Sequence, residues 1–149
     1  MLDSSSEGTV YVDATNQIAG RLSSKVAKLL ILGRRVVVVN AEKSLISGSR
    51  TSVVRQWQER LEIASHVNPI YGPIHPRRPD NILRRMIRGM VPRKKTKGVL
   101  AMKRLRVYVG LPKGVDVAKL TQFKDTTASR PVPAYVAMSE LSKTLGWNE

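Results

Sequence analysis

Cysteine is absent from the 149 residues, which removes disulfides, thiolate metal sites, zinc knuckles and cysteine nucleophiles together. A reducing, intracellular setting fits that composition. Acids are scarce as well, with 11 Asp and Glu against 26 Lys and Arg and a formal net charge of +15. A folded surface so short of carboxylates carries a strong positive field that attracts polyanions. Nucleic acid is the commonest such partner, and anionic membranes and heparin-like polymers satisfy the same electrostatics. No apolar run approaches the roughly 18 residues that a membrane span needs, and the opening MLDSSSEGTV lacks the basic and apolar regions of a secretion signal, so a soluble, cytoplasmic protein is expected. Aromatic residues make up only 5% of the chain, with a single Phe. None forms a pair of the kind on which RNP motifs stack bases, so readout of single-stranded sequence by stacking is not expected.

Glycine-rich phosphate loops are missing too. The stretch DATNQIAG, which joins a strand pattern to a helix pattern, contains only Gly20, and neither G-x-G-x-x-G nor G-x-x-x-x-G-K-[ST] occurs. A pyrophosphate site at a helix N-terminus needs such glycines for close backbone approach. Asp13, Thr15 and Asn16 therefore read as turn and helix-capping residues. The two histidines, His66 and His75, have no third ligand at metal-binding spacing and no recognisable acid or nucleophile beside them. No metal, cofactor or catalytic residue is expected. His75, in a proline loop flanked by arginines, fits contact with a phosphate or base better than proton transfer.

What is present is one domain's worth of core, with 42% hydrophobic residues. TVYV (9–12) and VVVVN (36–40) read as short buried strands, the second apolar on both faces like a strand covered on each side. Between them Ile18, Leu22, Val26, Leu29 and Leu30 recur at helical spacing up to Gly33, with Arg21, Lys25 and Lys28 on the opposite face. Strand, helix and strand form a βαβ unit. A third short strand is expected at 45–47, then an amphipathic helix over about 51–65 with Val53, Val54, Trp57, Leu61 and Ala64 inward. Four of the eight prolines (Pro69, Pro73, Pro76, Pro79) fall in 66–79, which excludes a helix there and requires an extended loop. Ile82, Leu83, Met86, Ile87 and Met90 then form the apolar face of another helix, and Arg84, Arg85 and Arg88 its other face. Residues 93–98 (RKKTKG) read as a basic loop, 99–105 as two helical turns and 106–110 as a last strand. Beyond Leu111, Pro112, Pro131 and Pro133 break the chain until a short helix at 139–145, with Trp147 as an anchor.

Charge is concentrated rather than spread. From Pro76 to Arg106 twelve cations face Asp80 alone, whereas 1–75 and 107–149 are close to balanced. These cations repel one another in the fold unless an external polyanion neutralises them, because the acids for internal ion pairs are missing. Arg77, Arg78, Arg84, Arg85 and Arg88 suit bidentate contact with phosphates, while Lys94, Lys95 and Lys97 supply flexible point charges. Arg93, Lys103, Arg104 and Arg106 complete the set. Arg21, Lys25, Lys28, Arg34 and Arg35 form a secondary patch, to which Arg50 is added. Gly89 and Gly98 would let the backbone approach RNA closely. The expected mode is recognition of folded RNA through phosphates, 2′-hydroxyls and shape. Two rivals remain: an enzyme holding a phosphorylated metabolite at the strand ends, and a module for anionic polymers or membranes, which would need bulky apolar residues exposed on a basic helix.

The stretches VDATNQIAGRLSSKVAKLLILG, VVVVNAEKSLISGS, and RRMIRGMVPRKKTKG followed by MKRLRVYVGLP resemble the L-thirteen family of large-subunit ribosomal proteins in its archaeal and eukaryotic-like form, over roughly residues 10–113. The resemblance implies a three-layer α/β/α fold with a small, largely parallel four-stranded sheet, with basic loops, a core over about 9–111 and an irregular C-terminal extension over about 112–149. It also implies placement on large-subunit rRNA beside other ribosomal proteins, and no enzymatic activity. Carried over by position, Arg88, Gly89, Met90, Pro92, Lys95, Thr96 and Lys97 become rRNA-contacting or loop-shaping residues.

Overall fold

The computed structural model describes residues 8–115, 117–129, 131 and 134–148; the start of the MLDSSSEGTV segment and Pro133 lie outside them. The first strand, β1 (Thr9–Asp13), buries Val12, and the valine run makes β2 (Arg35–Val39) its parallel neighbour, with Val12 opposite Val38. The intervening helix α1 (Ala19–Ile31) buries Leu22, Val26 and Leu30 at the spacing expected of one helical face. Arg21 and Lys28 stay exposed on the other.

The chain continues through β3 (Leu45–Ser47), α2 (Arg50–Glu62), α3 (Pro79–Gly89), α4 (Thr96–Lys103), β4 (Leu105–Val107), β5 (Leu120–Thr121), β6 (Tyr135–Ala137) and α5 (Met138–Thr144). The main sheet is four-stranded and parallel, in the order β4-β2-β1-β5. With its helices it makes the three-layer α/β/α arrangement that the resemblance implies. The membership of the sheet differs from expectation in one respect. The strand at 45–47 forms where expected, but it pairs antiparallel with β6 in a separate ribbon, and the fourth parallel strand is β5. A two-residue strand flanked by polar residues gives no period to read, which is why β5 was not foreseen.

Other boundaries shift for local reasons. The proline segment is extended except at Pro69–Tyr71, a 3-10 turn, and at Pro79, which opens α3 at a position where a missing N–H costs nothing. In α2 only Val53 is buried; Val54, Trp57 and Leu61 are half-buried and Ala64 is exposed beyond the helix end. Helix α4 starts at Thr96, inside the expected RKKTKG loop. The C-terminal stretch is irregular over much of its length, as expected. It nevertheless delivers Val136, Met138, Leu141 and Leu145 to the same apolar core as Val12, Leu22, Val38 and Leu83.

Gly98 corrects a functional expectation. It is buried, and a Cβ there would lie 2.2 Å from the Pro92 carbonyl oxygen. The residue is glycine because the turn before α4 folds back against the helix, and not because RNA approaches it. Gly89 has open space around it.

Asp13 closes the C-terminal end of β1. Its carboxylate accepts hydrogen bonds from the Thr15 backbone N–H (3.0 Å) and hydroxyl (2.7 Å), from Asn40 Nδ2 (2.8 Å) and from Gln122 Nε2 (2.7 Å). The expected turn is therefore present, with Asn16 and Asn40 both in the left-handed region that asparagine tolerates. The cap of α1 is Ile18, however, and no side chain performs that role. Partial burial disfavours the charged form of Asp13, but the bonds from Asn40, Thr15 and Gln122 outweigh it and hold its pKa below the ordinary carboxylate range.

Two outcomes follow for stability. Gly98→Ala should cost about 1–3 kcal/mol by overpacking, whereas Gly89→Ala should change urea-denaturation stability by about 1 kcal/mol or less. Because the folded-state pKa of Asp13 is depressed, its contribution is complete above the unfolded value of about 3.9 and is lost as pH falls through the folded value. Asp13→Asn should thus cost about 1–2 kcal/mol at pH 7, and the difference from the parent should shrink below about pH 4; an undiminished difference at pH 3 would refute the assignment.

Candidate nucleic-acid interface

Helix α3 is built by two incompatible requirements on one segment. Ile82, Leu83 and Ile87 are fully buried, so helical geometry turns Arg84, Arg85 and Arg88 outward. The preceding loop ends on Arg77 and Arg78, and its tip is folded back by two side-chain bonds: His75 Nε2 donates to the Ile63 carbonyl at 2.8 Å, and Arg85 Nη1 donates to the carbonyl of Ile74. The result is a groove of 920 Å³ with His75, Arg77, Arg78, Arg84, Arg85 and Arg88 on its walls. Among the described residues, Arg78 is the one cation of 77–106 held in an ion pair, with Asp80 at 3.3 Å. The groove's other arginines carry uncompensated charge into it.

A second, smaller groove of 530 Å³ joins the sheet edge to the end of α4. Arg35 from β2 meets Lys103, Arg104 and Arg106 there. This brings a residue of the secondary patch into the main cationic set. The four cations are not equivalent. Arg104 Nη2 donates to the Leu30 carbonyl at 3.0 Å, capping the C-terminal end of α1, and its buried Nε has no partner. Arg106 Nη1 bonds the carbonyls of Lys103 (3.3 Å) and Leu105 (3.2 Å).

The remaining expected site residues lie apart from both grooves. Arg93, Lys94, Lys95 and Lys97 are exposed around the turn into α4, and Arg34 is exposed ahead of β2. Arg21 and Lys28 lie on the outer face of α1, where Lys25 bonds Asp125 at 3.0 Å. Arg50 is paired with Glu140. Reasoning from sequence missed Ile74, Asn81 and Met102 in the large groove, and also missed Arg60, whose guanidinium lies 5.2 Å from the centre of the Trp57 ring. The i, i+3 spacing of Trp57 and Arg60 was the available signal. Among the described residues, no cluster of His, Asp and Glu could hold a metal ion and no helix is long and apolar enough to cross a membrane.

These features define a basic α/β protein with an arginine-lined groove. The chain belongs to the ribosomal protein L13 family, whose model matches residues 7–114. It is 44% identical to the large ribosomal subunit protein uL13 of Sulfurisphaera tokodaii, over 95% of this chain and 97% of that protein. It is 45% identical to that of Methanocaldococcus jannaschii, over 91% and 96%, and 42% identical to that of Sulfolobus acidocaldarius, over 96% and 97%. The chain is accordingly a ribosomal protein and not an enzyme.

If Arg104 serves α1 and not a ligand, Arg104→Ala should lower stability by about 1 kcal/mol through the lost cap. Lys103→Ala, at an exposed neighbour, should stay within about 0.5 kcal/mol by the same denaturation measurement.

Proposed function

We propose that the chain is a structural constituent of the large ribosomal subunit that binds and cross-links segments of large-subunit rRNA, during assembly and in the mature cytoplasmic particle. The observation that carries this reading is the arginine groove, a concave surface with five guanidinium groups and one local carboxylate, Asp80, already committed to Arg78. Closely spaced guanidinium groups match phosphates bidentately, and a folded RNA backbone presents phosphates at comparable density. The names of the relatives place those proteins in the large subunit, which supports rRNA over other polyanions.

In this reading residues 76–106 are the principal contact, and the groove of Arg35, Lys103 and Arg106 is a second one. Two separated cationic surfaces on a rigid α/β core let one protein hold two RNA segments at fixed distance. Lys94, Lys95 and Lys97, on their exposed turn, add contacts that position without reading sequence. Arg21, Lys28 and Arg34 present a third, weaker field. Neighbouring large-subunit proteins are the other partners; no cofactor or small-molecule substrate has a role. The membrane rival is disfavoured because the apolar residues of α3 are committed to the core.

The test is the salt dependence of binding to large-subunit rRNA. The slope of log affinity against log salt should be steep, about 0.7–0.9 per neutralised phosphate. Changing Arg84 and Arg88 together to Gln, with the loop-bracing Arg85 kept, should reduce that slope by about 1–2 and weaken binding at low salt, with the fold intact by circular dichroism. A flat salt dependence of the parent would overturn the proposal.

A further inference from the structure

Beside the arginine groove lies a second cavity of different chemistry. It measures 370 Å³, sits between α2, the proline loop and α3, and is walled by Trp57, Leu61, Pro73, Ile82 and Met86. His75, Pro76 and Arg85 belong to both cavities. An apolar slot thus opens directly onto a strip of fixed positive charge. Two of its lining residues, His75 and Arg85, make the bonds that fold the loop back, to the carbonyls of Ile63 and Ile74. The Arg60 guanidinium lies over the Trp57 ring, 5.2 Å from its centre, and both residues line the cavity.

We propose that this slot receives a single unstacked nucleobase of the bound RNA, whose flanking phosphates lie in the arginine groove. The inference rests on the RNA-binding reading above and names a feature of its ligand. The pairing of chemistries carries it. An extruded nucleotide is an object with a flat, largely apolar face attached at short range to a chain bearing one negative charge per residue, and bases displaced from helices are held by stacking on aromatic rings and arginine planes. A continuous duplex would fill the arginine groove but leave the apolar slot empty. A peptide would fill the slot but would need an acid at nearly every position to satisfy the five arginines next to it. The slot is assembled from residues 57–86, and its wall combines a Trp and an Arg rather than two aromatic rings, so no aromatic pair in the sequence marks it.

The full-length chain, with Trp147→Phe so that Trp57 is the sole tryptophan, is titrated with two RNA stem-loops identical except at one bulge, which carries either adenosine or an abasic ribose. The phosphates are the same in both. The adenosine bulge should bind roughly tenfold more tightly, within the range for one stacked base, and should quench Trp57 emission where the abasic bulge does not. Trp57→Leu, which keeps apolar bulk in the slot, should abolish the difference and leave abasic-bulge affinity unchanged. Equal affinities with no quenching would overturn the slot while steep salt dependence kept the RNA-binding reading intact; loss of binding to both stem-loops and to large-subunit rRNA would overturn both. Quenching of Trp57 by an acidic, proline-containing peptide but not by the adenosine bulge would assign the slot to a neighbouring protein and refute the proposal.

Discussion

The structure depends on holding like charges together on one short helix. Arg84, Arg85 and Arg88 share the outer face of α3, and Arg77 and Arg78 precede its first turn. Two unit charges about 4 Å apart in water repel by roughly 1 kcal/mol, and more where solvent is excluded. No carboxylate within the stretch except Asp80 offsets this, so the cost must be met by what the opposite face of the helix gains. That face buries Ile82, Leu83 and Ile87 completely against the core that α1 and the sheet supply. Each such burial is worth about 1.5–3 kcal/mol as an upper estimate, which exceeds the repulsion at the exposed face. The cations are therefore displayed because the hydrophobic face is overdetermined, and the helix remains in place whether or not an anion is present.

The proline loop converts that helix face into a concavity. Four prolines restrict the unfolded conformations of 66–79 and so reduce the entropy lost when the loop becomes fixed. Two side-chain bonds to backbone carbonyls, from His75 and Arg85, then set its position. Arg85 is consequently both a wall of the groove and a strut for it. The exposed apolar residues of the same loop, Val67, Ile70, Tyr71 and Ile74, are 84–96% exposed, a density of uncovered apolar surface that usually marks an interaction site. The loop thus adds uncovered apolar surface beside the arginine groove.

How much of this was legible in sequence depended on whether the signal was periodic. The βαβ unit, the two faces of α3 and the outward cations of α1 follow from spacing, because burial at 2.0 and 3.6 residues leaves a pattern in one dimension. The Asx turn at Asp13 was legible from residue type alone. Strand β5 was not, since two residues carry no period, nor was the pairing of β3 with β6, whose strands lie about ninety positions apart in the chain. The six groove residues from His75 to Arg88 all fall within the basic run visible in the sequence, and the fold brings them onto one cavity. Their separation from Lys94, Lys95 and Lys97, which lie exposed around the turn into α4 and do not line the groove, was not foreseen.

A census of charge treats every cation as available, and the fold shows why that overcounts. A guanidinium is the side chain best able to satisfy the orphan carbonyls at a helix end, because it offers several donors in one plane and stays charged. In a chain with 26 basic and 11 acidic residues, such structural tasks fall to arginines that elsewhere would pair with acids. Arg104 caps α1, Arg85 braces the loop, and Arg106 closes onto the backbone beside it. The excess of cations is thus partly internal wiring. The groove stands out from that background on a geometric ground: its guanidinium groups converge on one cavity from two elements, and convergence, unlike number, is a property that only the folded chain possesses.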